Sequence, residues 1–320
     1  MKRVMLTVFV LQFFTAFAFA EADVQQSEKA IKAPNRLLMD IASIKDDRLV
    51  AVGERGHVLL SDDQGISWRQ VIVPTQALLT RLLFVDENVG YAVGHQQVIL
   101  KTEDAGETWK LQYQNESLDQ PALFDVWFKN SRHGVAVGAY GLFLKTEDGG
   151  ENWEEVYQES LEDLEIGFPH FYSLTQDQNS GHIYMAGELG FLAVSKDNGE
   201  SWEKIDSPYN GSFFHIKALP NGYIVVSGLR GHLFRSTDQG ETWQEIPTNT
   251  TSVLQKNILL PNNKLLIVGA DGTQLISDDF AKTVKLVQRN DRSHLSSAVG
   301  LPNMDVLLVG VNGVLKTDLN

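Results

Sequence analysis

The sequence predicts an all-β chain folded as a seven-bladed β-propeller, on three observations. A glycine closing an apolar strand recurs at Gly53, Gly94, Gly138, Gly187, Gly228, Gly269 and Gly310, at spacings of 41, 44, 49, 41, 41 and 41 residues. One short strand after it, five of the seven copies carry an eight-residue polar turn of the form S/T-x-D-x-G-x-S/T/N-W. Each unit has room for about four short strands, and a period near 40 residues built that way is the pattern of a propeller blade.

The first twenty residues stand outside the repeats. Lys2 and Arg3 precede an apolar run from Val4 to Phe19, and Ala18-Phe19-Ala20 has the small-x-small form of a signal-peptidase site. The run is short for a membrane span and a polar stretch follows at once, so residues 1–20 read as a cleaved secretory signal rather than an uncleaved anchor. Residues 21–35 form an N-terminal segment and 36–320 the propeller. The chain is thereby expected to be exported and periplasmic, with secretion the alternative, and the mature chain has no stretch for direct membrane insertion.

The turn explains its own residue types. In "STDQGETW", 236–243, the Asp238 carboxylate can accept backbone N–H groups of its own turn, and Gly240 supplies a positive φ. Ser236 or Thr242 can close the turn through its hydroxyl, and Trp243 opens the outer strand with a large ring to bury between blades. The same structural roles fall on Asp63, Gly65 and Trp68; Asp104, Gly106 and Trp109; Asp148, Gly150 and Trp153; Asp197, Gly199 and Trp202. The sixth copy, "SDDFAKTV", keeps Ser277 and Asp279 but has Ala281 for glycine and Val284 for tryptophan, and reads as decayed. The seventh stops at "KTDLN", before a fourth strand. Closure by pairing of the N- and C-terminal segments is therefore expected, with a strand between about Asp23 and Ala33.

These turns are Asp boxes, or BNR repeats. The fuller unit "LLFVDENVGYAVGHQQVILKTEDAGETW", Leu82 to Trp109, resembles the photosystem II stability/assembly factor family, and the resemblance covers roughly residues 36–317. It implies an exported seven-bladed propeller without catalysis or cofactor. It also implies a factor that holds a membrane-protein subunit during assembly through an arginine-bearing patch. An envelope or membrane protein is thus the expected partner, and the chain by itself is expected to be monomeric.

Two sets of residues are candidates for partner binding. Thirteen residues before each strand-closing glycine, at the start of each innermost strand, stand Asp40, Arg81, Asp125, Leu174, His215, Lys256 and Ser297, with Tyr172 the expected equivalent of Leu174 because the fourth unit carries an insertion. A ring mixing Asp40, Arg81, Asp125, His215 and Lys256 would sit at a channel mouth, as a site or merely as wet polar surface. The second set is aromatic: Phe168, Phe171, Tyr172, Tyr209, Phe213 and Phe214 on blade connections, with Trp127 and Tyr140 nearby. Arg55 and Arg230 occupy matching second-to-third turns and offer guanidinium contacts.

Other chemistries find little support. The formal charge is −14, and −16 once the two positive charges of Lys2 and Arg3 are removed, which disfavours nucleic acid as a partner. Cysteine is absent, so thiolate chemistry is excluded, and the histidines make no metal-binding spacing. A sialidase-like glycosidase needs an arginine triad, and the sequence has no F/Y-R-I-P stretch; a glycosidase reading would have to use Asp40 and Asp125 as its carboxylate pair. A small-ligand or glycan-binding propeller remains the second reading.

Overall fold

A computed structural model describes residues 25–44, 47–115, 121–163 and 167–317. The signal-like segment 1–20 lies outside the described residues, as do Asp23 and Val24. Seven antiparallel sheets follow one another along the chain, six of four strands and the last of three among the described residues. Blade 1 runs Leu38–Ser43, Leu49–Gly53, Val58–Ser61 and Arg69–Val71. The innermost strands of blades 2 to 7 are Leu79–Phe84, Leu123–Phe128, Phe171–Gln176, Phe213–Ala218, Leu254–Leu259 and Leu295–Gly300. Each innermost strand lies beside the next, and the first lies beside the last, which closes the ring.

The second strand of every blade is buried at all five positions. Both its faces are covered by neighbouring blades, so it is written almost wholly in valine, leucine, isoleucine and alanine. Its closing glycine answers a close approach. A Cβ on Gly53 would lie 2.1 Å from the carbonyl oxygen of Leu37, and the other six glycines meet the equivalent carbonyl at 2.0–2.3 Å. That carbonyl belongs to the chain entering the blade, so the repeated glycine marks where each blade connection passes.

The polar turns lie between the third and fourth strands, on the face away from the blade connections. In blade 2, Asp104 accepts the N–H of Thr108 (2.8 Å) and its hydroxyl (2.6 Å). Thr102 donates to Asp104 (2.8 Å) and accepts the N–H of Gly106 (2.9 Å). Both hydroxyls, not one, close the turn. Gly106 has φ +87, and its carbonyl accepts the Trp109 indole N–H at 3.0 Å. The Trp109 ring then packs with Val50 and Leu60 of the preceding blade. Trp153 and Trp202 are buried as well, set edge-on to Phe128 and Phe143 but without a partner for the indole N–H among the described residues, whereas Trp68 and Trp243 are half-buried.

The sixth turn is not decayed in geometry. Asp279 still accepts the N–H and hydroxyl of Thr283 (2.9 and 2.7 Å), and Ser277 accepts the N–H of Ala281 (2.9 Å). Ala281 adopts φ +59 in place of glycine. The hydroxyl–carboxylate bonds hold the turn after its glycine is gone.

Closure also differs from expectation. The described residues 25–33 form no strand. They follow the outer edge of blade 1 instead: Ser27 donates its N–H to the Val73 carbonyl (2.8 Å) and accepts the Val73 N–H on its hydroxyl (3.0 Å). The single turn Ala33–Asn35 then rests against the last strand, Gly313–Lys316, with Ala33 fully buried. The described end segments do meet, but across the junction of blades 7 and 1, and among the described residues they add no fourth strand to blade 7. Pro34 explains part of this: it lacks an N–H, and its carbonyl lies where a Cβ on Gly313 would be, at 1.9 Å.

Candidate functional site

One end of the ring carries the blade connections, the second-to-third turns and the mouth of the central channel. Its chemistry begins with a bulge repeated in every innermost strand. Pairing with the second strand skips one residue between Leu38 and Asp40, and likewise in all seven blades. The skipped residues are Met39, Thr80, Phe124, Tyr172, Phe214, Gln255 and Ser296, and all seven line one central cavity of about 220 Å³. A bulge turns its extra side chain out of the ladder; here seven of them are turned toward one space.

The cavity is two-sided. Phe124, Tyr172 and Phe214, from three consecutive blades, make tilted ring contacts at 5.2 Å and form an aromatic wall. Burial and nearby Glu188 push the Tyr172 hydroxyl up to about 12, so it stays protonated. Arg81 and Lys256 line the other side with Thr80, Gln255 and Ser296.

Directly beneath lies a polar belt, one residue per blade: Asp40, Arg81, Asp125, Ser173, His215, Lys256 and Ser297. Arg81 grips Asp125 through two donors (2.9 and 3.1 Å). Asp40 pairs with Lys256, accepts the Ser297 hydroxyl (2.8 Å) and lies 3.8 Å from Arg81. The belt also ties adjacent blades by their backbones: Asp40 accepts the Leu82 N–H (3.1 Å), Asp125 that of Leu174 (2.8 Å) and Ser173 that of Ile216 (3.3 Å). These are N–H groups on the inner edge of a strand, and polar side chains satisfy them where no further strand exists.

Burial sets the charges. It raises the pKa of Asp40, but Lys256 and Arg81 outweigh it and the carboxyl ends below its usual range. Burial, opposed by Asp40 and reinforced by Arg81, brings Lys256 down to about 8. His215 is driven well below its ordinary value, first by burial and then by Arg81, Lys256 and Lys217, so it is neutral.

The structure separates the sequence candidates. Asp40, Asp125 and His215 are buried and present no surface to a partner; Arg81 and Lys256 reach the cavity floor. The blade 4 member of the belt is Ser173, neither Leu174 nor Tyr172, because the extra residue sits in the 177–182 turn, beyond this point of the strand. Tyr172 and Phe214 belong to the bulge ring. Phe171 and Phe213 are fully buried core, and Tyr209 packs among Phe213, His232 and Phe234. Trp127 sits toward the far end of its strand, opposite Val135, and packs against the core shared with blade 4. Sequence reasoning missed Phe124, Thr80, Met39, Gln255 and Ser296. Counting fourteen residues back from each glycine, instead of thirteen, finds them.

The rim is the third layer. Arg55, Gln96, Tyr140, Leu189, Arg230 and Asp271 occupy the same place in successive second-to-third turns, each exposed and each at φ between +52 and +60. From Phe214, ring contacts run through Tyr172 (5.2 Å) and His170 (5.9 Å) to Tyr140 (4.5 Å) on that rim. Tyr140 then shares a cleft of about 480 Å³ with Phe168 and Tyr157. Tyr140 and Tyr157 are 73% and 67% exposed, so the aromatic track ends in open solvent.

Comparison with solved structures returns the same ring. A structure described as YCF48 bound to D1 peptide superposes with a TM-score of 0.70 at 18% identity, covering 94% of this chain and 99% of that one. YCF48 from Cyanidioschyzon merolae gives 0.69 at 17% identity, with 91% and 96% covered. A streptogramin B lyase gives 0.73 at 14% identity, with 91% and 96% covered, so the ring itself is shared with an enzyme. Among curated proteins, no sequence matches. The family described as photosynthesis system II assembly factor YCF48 matches residues 66–120 and 112–258, more than half of the chain, and the chain belongs to that family.

Proposed function

We propose that this chain is a non-catalytic, exported binding factor that holds a segment of a membrane or envelope protein during assembly. The observation that carries this reading is the aromatic track from the central cavity to Tyr140, Tyr157 and the exposed rim. Large exposed aromatic side chains on loops over a rigid ring are the usual anchors of a protein interface. The solved relative that holds D1 peptide supports a membrane-protein partner. The periplasm as the place of action rests on the signal-like residues 1–20, and N-terminal sequencing of the mature protein should begin at Glu21. Against catalysis, the two carboxylates at the channel are sealed beneath the cavity. Asp125 is held by Arg81 and Asp40 by Lys256, and neither is free to deliver a proton to a substrate.

The test is crosslinked capture from the native envelope with three proteins: wild type, a rim variant (Tyr140→Ser, Tyr157→Ser, Leu189→Ser), and Ile66→Ser on the opposite face. Ile66 is 79% exposed and controls for general loss of apolar surface. One membrane protein held by wild type and Ile66→Ser but lost by the rim variant is the expected result. Equal capture by all three defeats the reading.

A further inference from the structure

We propose that the central cavity is a binding site for a carboxylate carried on an aromatic or large apolar group. The proposal concerns the cavity alone and stands whether or not the rim holds a protein.

The first argument is shape. At roughly 30 Å³ per water, a cavity of about 220 Å³ holds a handful of waters or one ring-sized group. The wall of Phe124, Tyr172 and Phe214 favours the ring.

The second argument is unused hydrogen-bonding capacity. Arg81 directs its Nε and Nη2 at Asp125, while its Nη1 is 3.8 Å from Asp40, beyond hydrogen-bond distance. Lys256 Nζ carries three donors, and Asp40 accepts one of them. Both cations line the cavity, with side chains 13% and 16% exposed, whereas the carboxylates they pair with are 7% and 2% exposed and lie beneath them. A molecule entering the cavity therefore meets donors and positive charge, not the acids.

The third argument is charge balance. Asp40 and Asp125 face three cations: Arg81, Lys256 and Lys217. Lys217 stands two residues beyond His215 on the blade 5 strand and has no ion-pair partner among the described residues. It is half-buried deeper in the channel, below the cavity lining, and burial together with Arg81 lowers its pKa against the opposing attraction of Asp125. His215 is neutral and adds nothing. An overall acidic protein thus keeps one uncompensated positive charge in its channel. Buried charge of one sign is costly, and a bound anion neutralises it.

Lys256 makes the site pH-dependent. The charged or titratable groups around it are Asp40 from blade 1, Arg81 from blade 2, Asp125 from blade 3 and His215 from blade 5, with the Ser297 hydroxyl beside Asp40; His95 lines the same cavity and its pKa is held below its ordinary value by burial, and Lys217 lies deeper, beside Arg81 and Asp125. Of these, Lys256 is the one that loses its proton near pH 8, so anion affinity should fall as pH rises through that value.

The experiment titrates the whole mature protein with N-acetyl-phenylalanine and with its amide, followed by calorimetry or by NMR shifts of the Tyr172 ring. Saturable binding of the acid at pH 7, at least tenfold weaker for the amide and tenfold weaker at pH 9, is expected. Lys217→Met should weaken the acid several-fold without disturbing the Asp40–Lys256 pair, which keeps the test informative if Lys256→Met fails to fold. A five-residue peptide ending in phenylalanine, compared with 3-phenylpropionate, separates a polypeptide terminus from a free small acid as the source. Equal affinity of acid and amide, no saturable binding of either, or an unchanged affinity in Lys217→Met overturns the proposal.

Discussion

The two ends of the ring are built from the same repeats and use them in opposite ways. On the far end, six turns hold nearly the same side chains, and those side chains bond the turn itself: Asp63 takes the N–H and hydroxyl of Ser67, Asp148 the backbone N–H and side-chain amide N–H of Asn152, Asp279 the N–H and hydroxyl of Thr283. On the cavity end, equivalent turn positions hold Arg55, Gln96, Tyr140, Leu189, Arg230 and Asp271, with no one chemical type throughout, and all of them are exposed. Seven blades in one chain act as an internal alignment. Where the blades agree, residues are committed to folding; where equivalent positions diverge and are exposed, they are available for binding.

The largest expected effect lies on the far end. Trp109→Ala removes a ring that is 6% exposed and packed on the preceding blade, and should cost about 3–5 kcal/mol in chemical denaturation. Trp243 is half-buried, and Trp243→Ala should cost about half as much. Equal costs would mean that the rings do not act by burial between blades.

Acid should dissolve the same end next. Hydrogen bonds from Ser67, Asn152 and Ser201 pull Asp63, Asp148 and Asp197 from 3.8 to about 2. A folded pKa below the unfolded one means that the unfolded chain binds more protons between those values. The stabilisation is present above about pH 4 and is lost as pH falls toward 2. Melting temperature should be flat from pH 6 to pH 4.5 and then decline, modestly for each turn because these carboxylates are exposed. A flat profile down to pH 2.5 would show that the turns contribute nothing through these carboxylates.

The fold was legible because its signals are repeated and local. A glycine forced by a passing carbonyl and an aspartate bonded two to four residues away leave the same letters in each copy. The polar belt was legible as a pattern and misjudged as a surface: Asp40 and Asp125 look like site carboxylates until their burial and their backbone partners are known. The bulge ring left a weaker trace. Met39, Thr80, Phe124, Tyr172, Phe214, Gln255 and Ser296 share no one residue type, so although their spacing from the glycines is regular, it takes the register of strand pairing to show that they converge. The N-terminal segment was misread for a related reason. Ser27 and Gln70 hold it to blade 1 by side-chain bonds that no periodicity announces.

The smallest predicted effect separates the two ends most sharply. Arg55 and Ala281 are both non-glycine residues in the left-handed region, at φ +54 and +59, a conformation that disfavours L-residues by roughly 1–2 kcal/mol. Glycine relieves that strain but adds about 0.4–1 kcal/mol of unfolded-state freedom, so each replacement begins with a net gain of about half to one kcal/mol. Ala281 is fully buried, and losing its methyl gives back up to about 0.8 kcal/mol. Ala281→Gly should therefore be nearly neutral. Arg55 is exposed and its side chain loses no burial, so Arg55→Gly should keep the gain, read as a higher denaturation midpoint at unchanged slope. If the rim is the binding surface, the same variant should capture less partner while being the more stable protein. A stabilised Arg55→Gly with undiminished capture would place the partner elsewhere on the rim, toward Tyr140 and Tyr157.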